Sequence, residues 1–198
     1  MTARSTLILV AGGPGAGKTS FGRALARAIP SAVLVDKDVL ASPWLDPVLA
    51  RLNDGAVDRD SRVYWETLRP LEYASLMAVA YDNVAIGKTA IVIAPFGPEL
   101  RDREWIEACH SHAATLDTRL VVIWMAIGAD AARERIARRN DARDGWKLAH
   151  WREFSAGDPY SAPVPGRIAP GDWLVLHNDH PARIDDLVER ALRSASLR

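Results

Sequence analysis

Nine consecutive residues, Gly12-Gly13-Pro14-Gly15-Ala16-Gly17-Lys18-Thr19-Ser20, combine backbone freedom, one cation and two hydroxyls. They fit the pattern Gly-x-x-x-x-Gly-Lys-Ser/Thr without a mismatch. Glycines let the backbone curl until successive N–H groups point inward at phosphate oxygens. A helix starting at Lys18 aims its positive end at the same anion. Lys18 reaches outer phosphates, and the Thr19 hydroxyl suits a Mg2+ that bridges them. A second Gly-Lys-Thr, Gly87 to Thr89, lacks the upstream glycine spacing and precedes a strand pattern, so it reads as a solvated loop.

The next residues with chemistry are Asp36 and Asp38, in Leu34-Val35-Asp36-Lys37-Asp38-Val39-Leu40. If one strand runs through both, their side chains share a face. At the carboxyl end of a strand in an open parallel sheet they border the ligand crevice. One carboxylate there can hold Mg2+ through its water shell, and the other can accept a proton from an attacking hydroxyl. The competing reading is that Asp38 caps the following helix. Arg59, Arg62 and Arg69, beside Tyr64 and Trp65, suit the mouth of a site for a polar ring-bearing or anionic acceptor, although a buried amphipathic helix would look similar.

These residues need a scaffold of alternating strands and helices. Leu7–Ala11, Ser31–Asp36, Thr89–Ala94, Arg119–Ala126 and Trp173–Asn178 read as five short, largely apolar strands. Helical patterns follow at Thr19–Ile29, Val39–Leu52, Arg59–Val84, Arg101–Leu116, Ala131–Arg143 and Pro181–Ser194. Pro43 and Pro47 should split the second into two pieces. Alternation of this kind predicts a parallel sheet covered on both faces, in a single domain over residues 1–198.

The loop resembles that of P-loop nucleoside triphosphatases and kinases. The resemblance implies an α/β, three-layer fold with a parallel five-stranded sheet of order 2-3-1-4-5 and helices on both sides. Acids expected elsewhere in motor ATPases are missing, since the third strand runs into Ala94-Pro95-Phe96-Gly97 and the fourth into Ala126-Ile127-Gly128. No Asn-Lys-x-Asp string marks a guanine-specific switch. The Asp36/Asp38 placement is similar to that of small-molecule P-loop kinases, the shikimate and gluconate kinase group. Chloramphenicol phosphotransferase and zeta-toxin-like kinases fall in the same broad group. That resemblance implies ATP and Mg2+ as cofactors, Asp36 and Thr19 at the metal, and Asp38 at the acceptor hydroxyl.

It also implies a small lid, over about 139–157, entered by Arg135-Ile136-Ala137-Arg138-Arg139 and then Arg143. Arg139 and Arg143 would contact phosphate, and Arg135 or Arg138 would stack on the base. The alternative is a solvated helix whose arginines pair with Glu134 and Asp141.

The leading expectation is an ATP-dependent phosphotransferase acting on a small-molecule hydroxyl. Two others stand beside it: a nucleotide-sugar or polynucleotide kinase, and an ATP-binding switch or assembly factor with a protein partner. Lysine plus arginine equal aspartate plus glutamate, 25 against 25, so no global field favours nucleic acid. A single cysteine, Cys109, suits a reducing cytoplasm and, with the scattered histidines, speaks against zinc. No apolar run approaches the ~18 residues that cross a bilayer. Oligomeric state, acceptor and the choice of ATP over GTP are not encoded in any motif.

Overall fold

The structure is a computed structural model, and it describes residues 5–30, 32–141, 144–164, 168–179 and 184–197. Five strands form one parallel sheet of order β2-β3-β1-β4-β5: β1 Thr6–Ala11, β2 Val33–Asp36, β3 Ala90–Ile93, β4 Arg119–Ala126 and β5 Trp173–His177. The order agrees with the expectation. Between them run α1 Lys18–Ala28, α2 Lys37–Leu52, α3 Arg69–Ala85, α4 Arg103–Thr115, α5 Ala129–Arg139, α6 Gly145–Ala149, α7 Trp151–Ala156 and α8 Ile184–Ser194. Ser31 and residues 180–183, where a strand and the closing helix were expected to begin, lie outside the described residues.

Period-two alternation divides the core into two layers. Leu7, Leu9 and Ala11 of β1 pack with Leu76 and Ala80 of α3 and with Ile106 and Cys109 of α4. Ile8 and Val10 face the other way, onto Phe21 and Leu25 of α1 and Leu187 and Val188 of α8. β1 is therefore buried on both sides, which is why its sequence is a continuous apolar run. Among the described residues, no helix is long and apolar enough to cross a membrane.

Three local outcomes differ from the sequence pattern. First, α2 is one continuous helix with Pro43 and Pro47 inside it. Each proline removes a backbone hydrogen bond. Both prolines lie on the exposed side, while Ala41, Leu45 and Leu49 pack on Tyr64 and Leu68 as a small separate core. Tertiary packing thus holds a helix that local propensity would break. Second, the long helix expected over Arg59–Val84 starts later. Residues 53–55 and 59–60 form turns, helical backbone runs from Arg62, Tyr64–Leu68 is a π-helical turn within it, and α3 continues from Arg69. Such a turn inserts one extra residue per turn and re-aims the side chains that follow. Third, β2 ends at Asp36, and Asp38 is already in the first turn of α2.

A buried ion pair fixes α2 against α3. Lys37 Nζ lies 3.0 Å from Glu72 Oε1, and the Glu72 side chain is fully buried. Tyr64 Oη donates to the other Glu72 oxygen at 2.8 Å. Removing one partner of such a pair strands a charge in low dielectric and costs about 3–5 kcal/mol. Lys37→Met should therefore lower unfolding free energy by about 3–5 kcal/mol in urea titrations, and Lys37→Met combined with Glu72→Leu should recover most of the loss. A single variant with unchanged midpoint would show that the pair does not brace the helices.

Candidate active site

The phosphate-type loop leaves β1 at its carboxyl end, in the centre of the sheet. Gly12 has φ +133°, and a Cβ there would lie 2.4 Å from the Met125 carbonyl oxygen of β4. Only glycine lets the chain turn this close to the neighbouring strand. Gly17, with φ +87°, opens α1, so the amino end of that helix faces the loop's own concavity. Lys18 folds back over the loop, its Nζ donating to the carbonyls of Gly12 at 2.9 Å and Gly13 at 2.8 Å. Burial lowers the ammonium's pKa from its usual 10.5 to about 8; nearby Arg139 and Lys37 push the same way, and Asp38 and Asp36 oppose.

Thr19, in the first turn of α1, meets Asp36 at the carboxyl end of β2. The Thr19 hydroxyl donates to Asp36 Oδ2 at 3.3 Å. The other Asp36 oxygen accepts the Asp38 backbone N–H at 3.0 Å, capping α2. The capping residue is thus Asp36, not Asp38. A threonine hydroxyl and a buried carboxylate beside a phosphate loop form a hard-oxygen donor set suited to Mg2+.

Asp38 reaches the same space from a helix, not along a strand. Its side chain is 40% exposed and pairs with Lys37 at 3.0 Å and with Arg59 at 2.9 Å. Arg59 is buried and also holds Ser42 and Asp46, both at 2.7 Å. Arg69 makes a two-pronged pair with Glu99 and lies 4.1 Å from the Tyr73 ring centre and 4.7 Å from that of Trp65.

One cavity of about 770 Å³ joins these groups. Gly12, Gly13, Pro14, Gly15, Gly17, Lys18, Thr19 and Ser20 line it, together with Asp36, Asp38, Arg59, Arg69, Arg135 and Arg139. Ala16 is buried behind the loop, where its carbonyl accepts Asn178 Nδ2 at 2.9 Å. Arg62 points away and pairs with Glu66 on the surface. Arg138 is exposed outside the cavity wall. Helical geometry explains the difference: Arg135 and Arg139 are one turn apart and share the face of α5 that Arg138 lacks. Arg143 lies outside the described residues.

The chain after α7 meets the loop. The Tyr160 ring packs so closely over Gly13 that a Cβ there would approach it to 2.6 Å. Arg101 donates to the carbonyls of Asp158 at 3.2 Å and Ser161 at 2.8 Å. Lys147 pairs with Asp60 at 2.6 Å, joining α6 to the segment before α3. Arg139 is held by nearly buried Asp144 and is itself 41% exposed. Arg135 donates to the Asn178 carbonyl at 2.7 Å.

Several of these side chains had no motif to announce them: Lys37, Asp46, Asp60, Glu72, Glu99, Asp144 and Lys147. Glu72 carried one signal. It falls in phase with Leu76, Ala80 and Val84 on the apolar stripe of α3, where an unpaired acid is not tolerated.

A family model described as an AAA domain (AAA_33) matches residues 7–157. No curated protein matches the chain. Among solved structures, a candidate kinase from Chloroflexus aurantiacus is similar over 96% of this chain and 98% of its own, at 21% identity and TM-score 0.64. A gluconokinase from Sinorhizobium meliloti covers 98% and 93%, at 15% identity and TM-score 0.59. The APS kinase of Mycobacterium tuberculosis, in complex with AMPPNP and APS, covers 98% of each chain, at 17% identity and TM-score 0.57. At these identities the three share its fold. With the loop geometry and a family match spanning most of its length, the chain belongs to the AAA_33 family of P-loop proteins.

Proposed function

We propose that this protein is a cytoplasmic, single-domain phosphotransferase that moves the terminal phosphoryl group of ATP to a hydroxyl of a small molecule. The observation that carries the reading is the shared cavity, in which the phosphate loop and Asp38 face one space. Its structural neighbours include proteins named as kinases, one of them bound to a nucleotide analogue and a small acceptor.

In this reading the triphosphate lies on the backbone N–H groups of Gly13 to Thr19. Lys18 leaves the loop carbonyls for the outer phosphates. Mg2+, held by Thr19 and Asp36, would neutralise charge on the phosphate oxygens. Asp38 accepts the acceptor's O–H proton as the oxygen–phosphorus bond forms and the bond to the leaving ADP oxygen breaks. Asp38 is held by Arg59 and Lys37, so it is aimed before the acceptor arrives. Arg139 can turn from Asp144 toward the transferring group, and Arg135 guards the nucleotide beside Gly15.

Two measurements check this. Asp38→Asn should bind nucleotide near wild-type affinity yet lose about 10²–10⁴ in turnover once an acceptor is found, because general base catalysis supplies roughly that factor. Near-normal turnover in that variant would remove Asp38 as the base. Lys18 gives a pH test. Its pKa is about 8 beforehand, and a polyanion beside it favours the charged form. Nucleotide binding above that pH must therefore take up a proton, and affinity should fall as pH rises through 8 and beyond. Calorimetry in buffers of different ionisation enthalpy should show proton uptake at alkaline pH, and Lys18→Met should abolish it. Equal binding enthalpies in all buffers would refute the assignment.

A further inference from the structure

The cations around the cavity fall into two groups. Lys18 and Arg135, on the loop side, spend their N–H groups on backbone carbonyls. A carbonyl gives up a cation to a phosphate without leaving a net charge behind. The cations on the opposite side are each matched to a carboxylate of the protein. Arg59 holds Asp38 and Asp46, and its Nε is buried and reaches no partner. Arg69 holds Glu99 with both prongs, and both side chains are nearly buried. Lys37 holds Glu72 and Asp38, and Lys147 holds Asp60.

Four cations on that side thus face five carboxylates: Asp38, Asp46, Asp60, Glu72 and Glu99. An incoming carboxylate or phosphate would have to break a formed, largely desolvated pair and leave the displaced acid uncompensated, which is costly. It would also sit against Asp38 and Asp60 as a like charge. What the same wall does offer is aromatic surface. Trp65, 45% exposed, and half-buried Phe154 line the cavity with open ring surface, and the nearly buried Tyr64 and Tyr73 line it beside them. Burial raises the pKa of Tyr64 and Tyr73 well above the ordinary phenol value, so both rings stay neutral. Arginines beside aromatic rings first suggest an anionic or ring-bearing ligand; their pairing removes the first option.

We infer that the acceptor half of the cavity selects an uncharged, ring-bearing alcohol and rejects the carboxylated or phosphorylated form of the same ring. The word acceptor rests on the phosphotransferase reading, but the selectivity is a binding property and can be measured without turnover. Two cations remain: Arg139, held by Asp144, and Arg101 at the rim, whose guanidinium is engaged by the carbonyls of Gly97, Asp158 and Ser161.

The test uses the full chain with ADP and Mg2+, and two matched pairs of probes: methyl shikimate against shikimate, and benzyl alcohol against its para-carboxylate. Ligand-observed NMR titration should show the neutral member of each pair binding at least about tenfold tighter, a difference of roughly 1.4 kcal/mol. Glu99→Gln, which releases Arg69, should narrow that ratio; if this variant does not fold, the wild-type ratio alone decides. Carboxylates that bind as well as their neutral partners, or four probes that all fail to bind, overturn the inference. An unchanged ratio in folded Glu99→Gln also overturns it, as does a carboxylate preference that vanishes in Arg101→Met. In a parallel assay ATP replaces ADP, and ADP formation is followed with each probe. Selective binding without acceptor-stimulated release would count against the transferase reading and leave the pocket assignment standing.

Discussion

One carboxylate joins the three parts of this site. Asp36 ends β2, caps α2 through one oxygen and receives the Thr19 hydroxyl on the other. Move it and the phosphate loop, the strand and the helix carrying Lys37 and Asp38 lose their common reference. A charged acceptor at a helix cap is also favoured by the helix dipole, so the same group that organises the site steadies α2. Its burial is tolerated because both oxygens are hydrogen-bonded, one by a hydroxyl and the other by a backbone N–H.

Behind that carboxylate stands the parallel sheet. β1 lies between β3 and β4, and its carboxyl end opens where the loop must turn. The loop backs onto Met125 through Gly12, while the Gly12 N–H donates to Pro95, just beyond β3. Both neighbours of β1 therefore shape the loop. The opposite wall of the cavity has a different origin. It is built by α2, the π-helical turn and α3, held together by Lys37, Glu72 and Tyr64 rather than by apolar contact alone. A π-turn just before α3 sets the phase at which Arg69 and Glu72 follow Tyr64.

The loop and the sheet were legible because their signals are local and redundant. Four specified positions, Gly12, Gly17, Lys18 and Thr19, fix the loop pattern, and a fully buried β1 can only be written as an apolar run. The strand order came from resemblance, since period and propensity do not order parallel strands. Asp36 and Asp38 both line the cavity, but not by the geometry the sequence suggests. A strand would place them on one face; a helix that starts at Lys37 instead turns Asp38 toward Arg59. The continuous α2 was hidden because its stability lies in Tyr64 and Leu68, residues distant in sequence. Among the arginines, residue type alone could not separate Arg59 and Arg69 from Arg62, nor Arg135 and Arg139 from Arg138. Facing depends on where each helix begins, and boundaries are the least local feature of a sequence.

The chain's zero net charge conceals a local division of labour. Lys18 and Arg135 rest on carbonyl dipoles, which a polyanion can replace. Arg59, Arg69, Lys37 and Lys147, across the cavity, rest on carboxylates, which it cannot replace without exposing a buried charge. Lys37 sits at the boundary. It pairs with Asp38 on one side of the cavity and, through its charge, helps depress Lys18 on the loop side. The buried Glu72 holds Lys37 in that place. A fully buried acid on α3, with no phosphate or acceptor to touch, thereby sets the field in which both halves of the cavity work. This is a reason for the site to keep a costly buried ion pair where an apolar pair would pack as well.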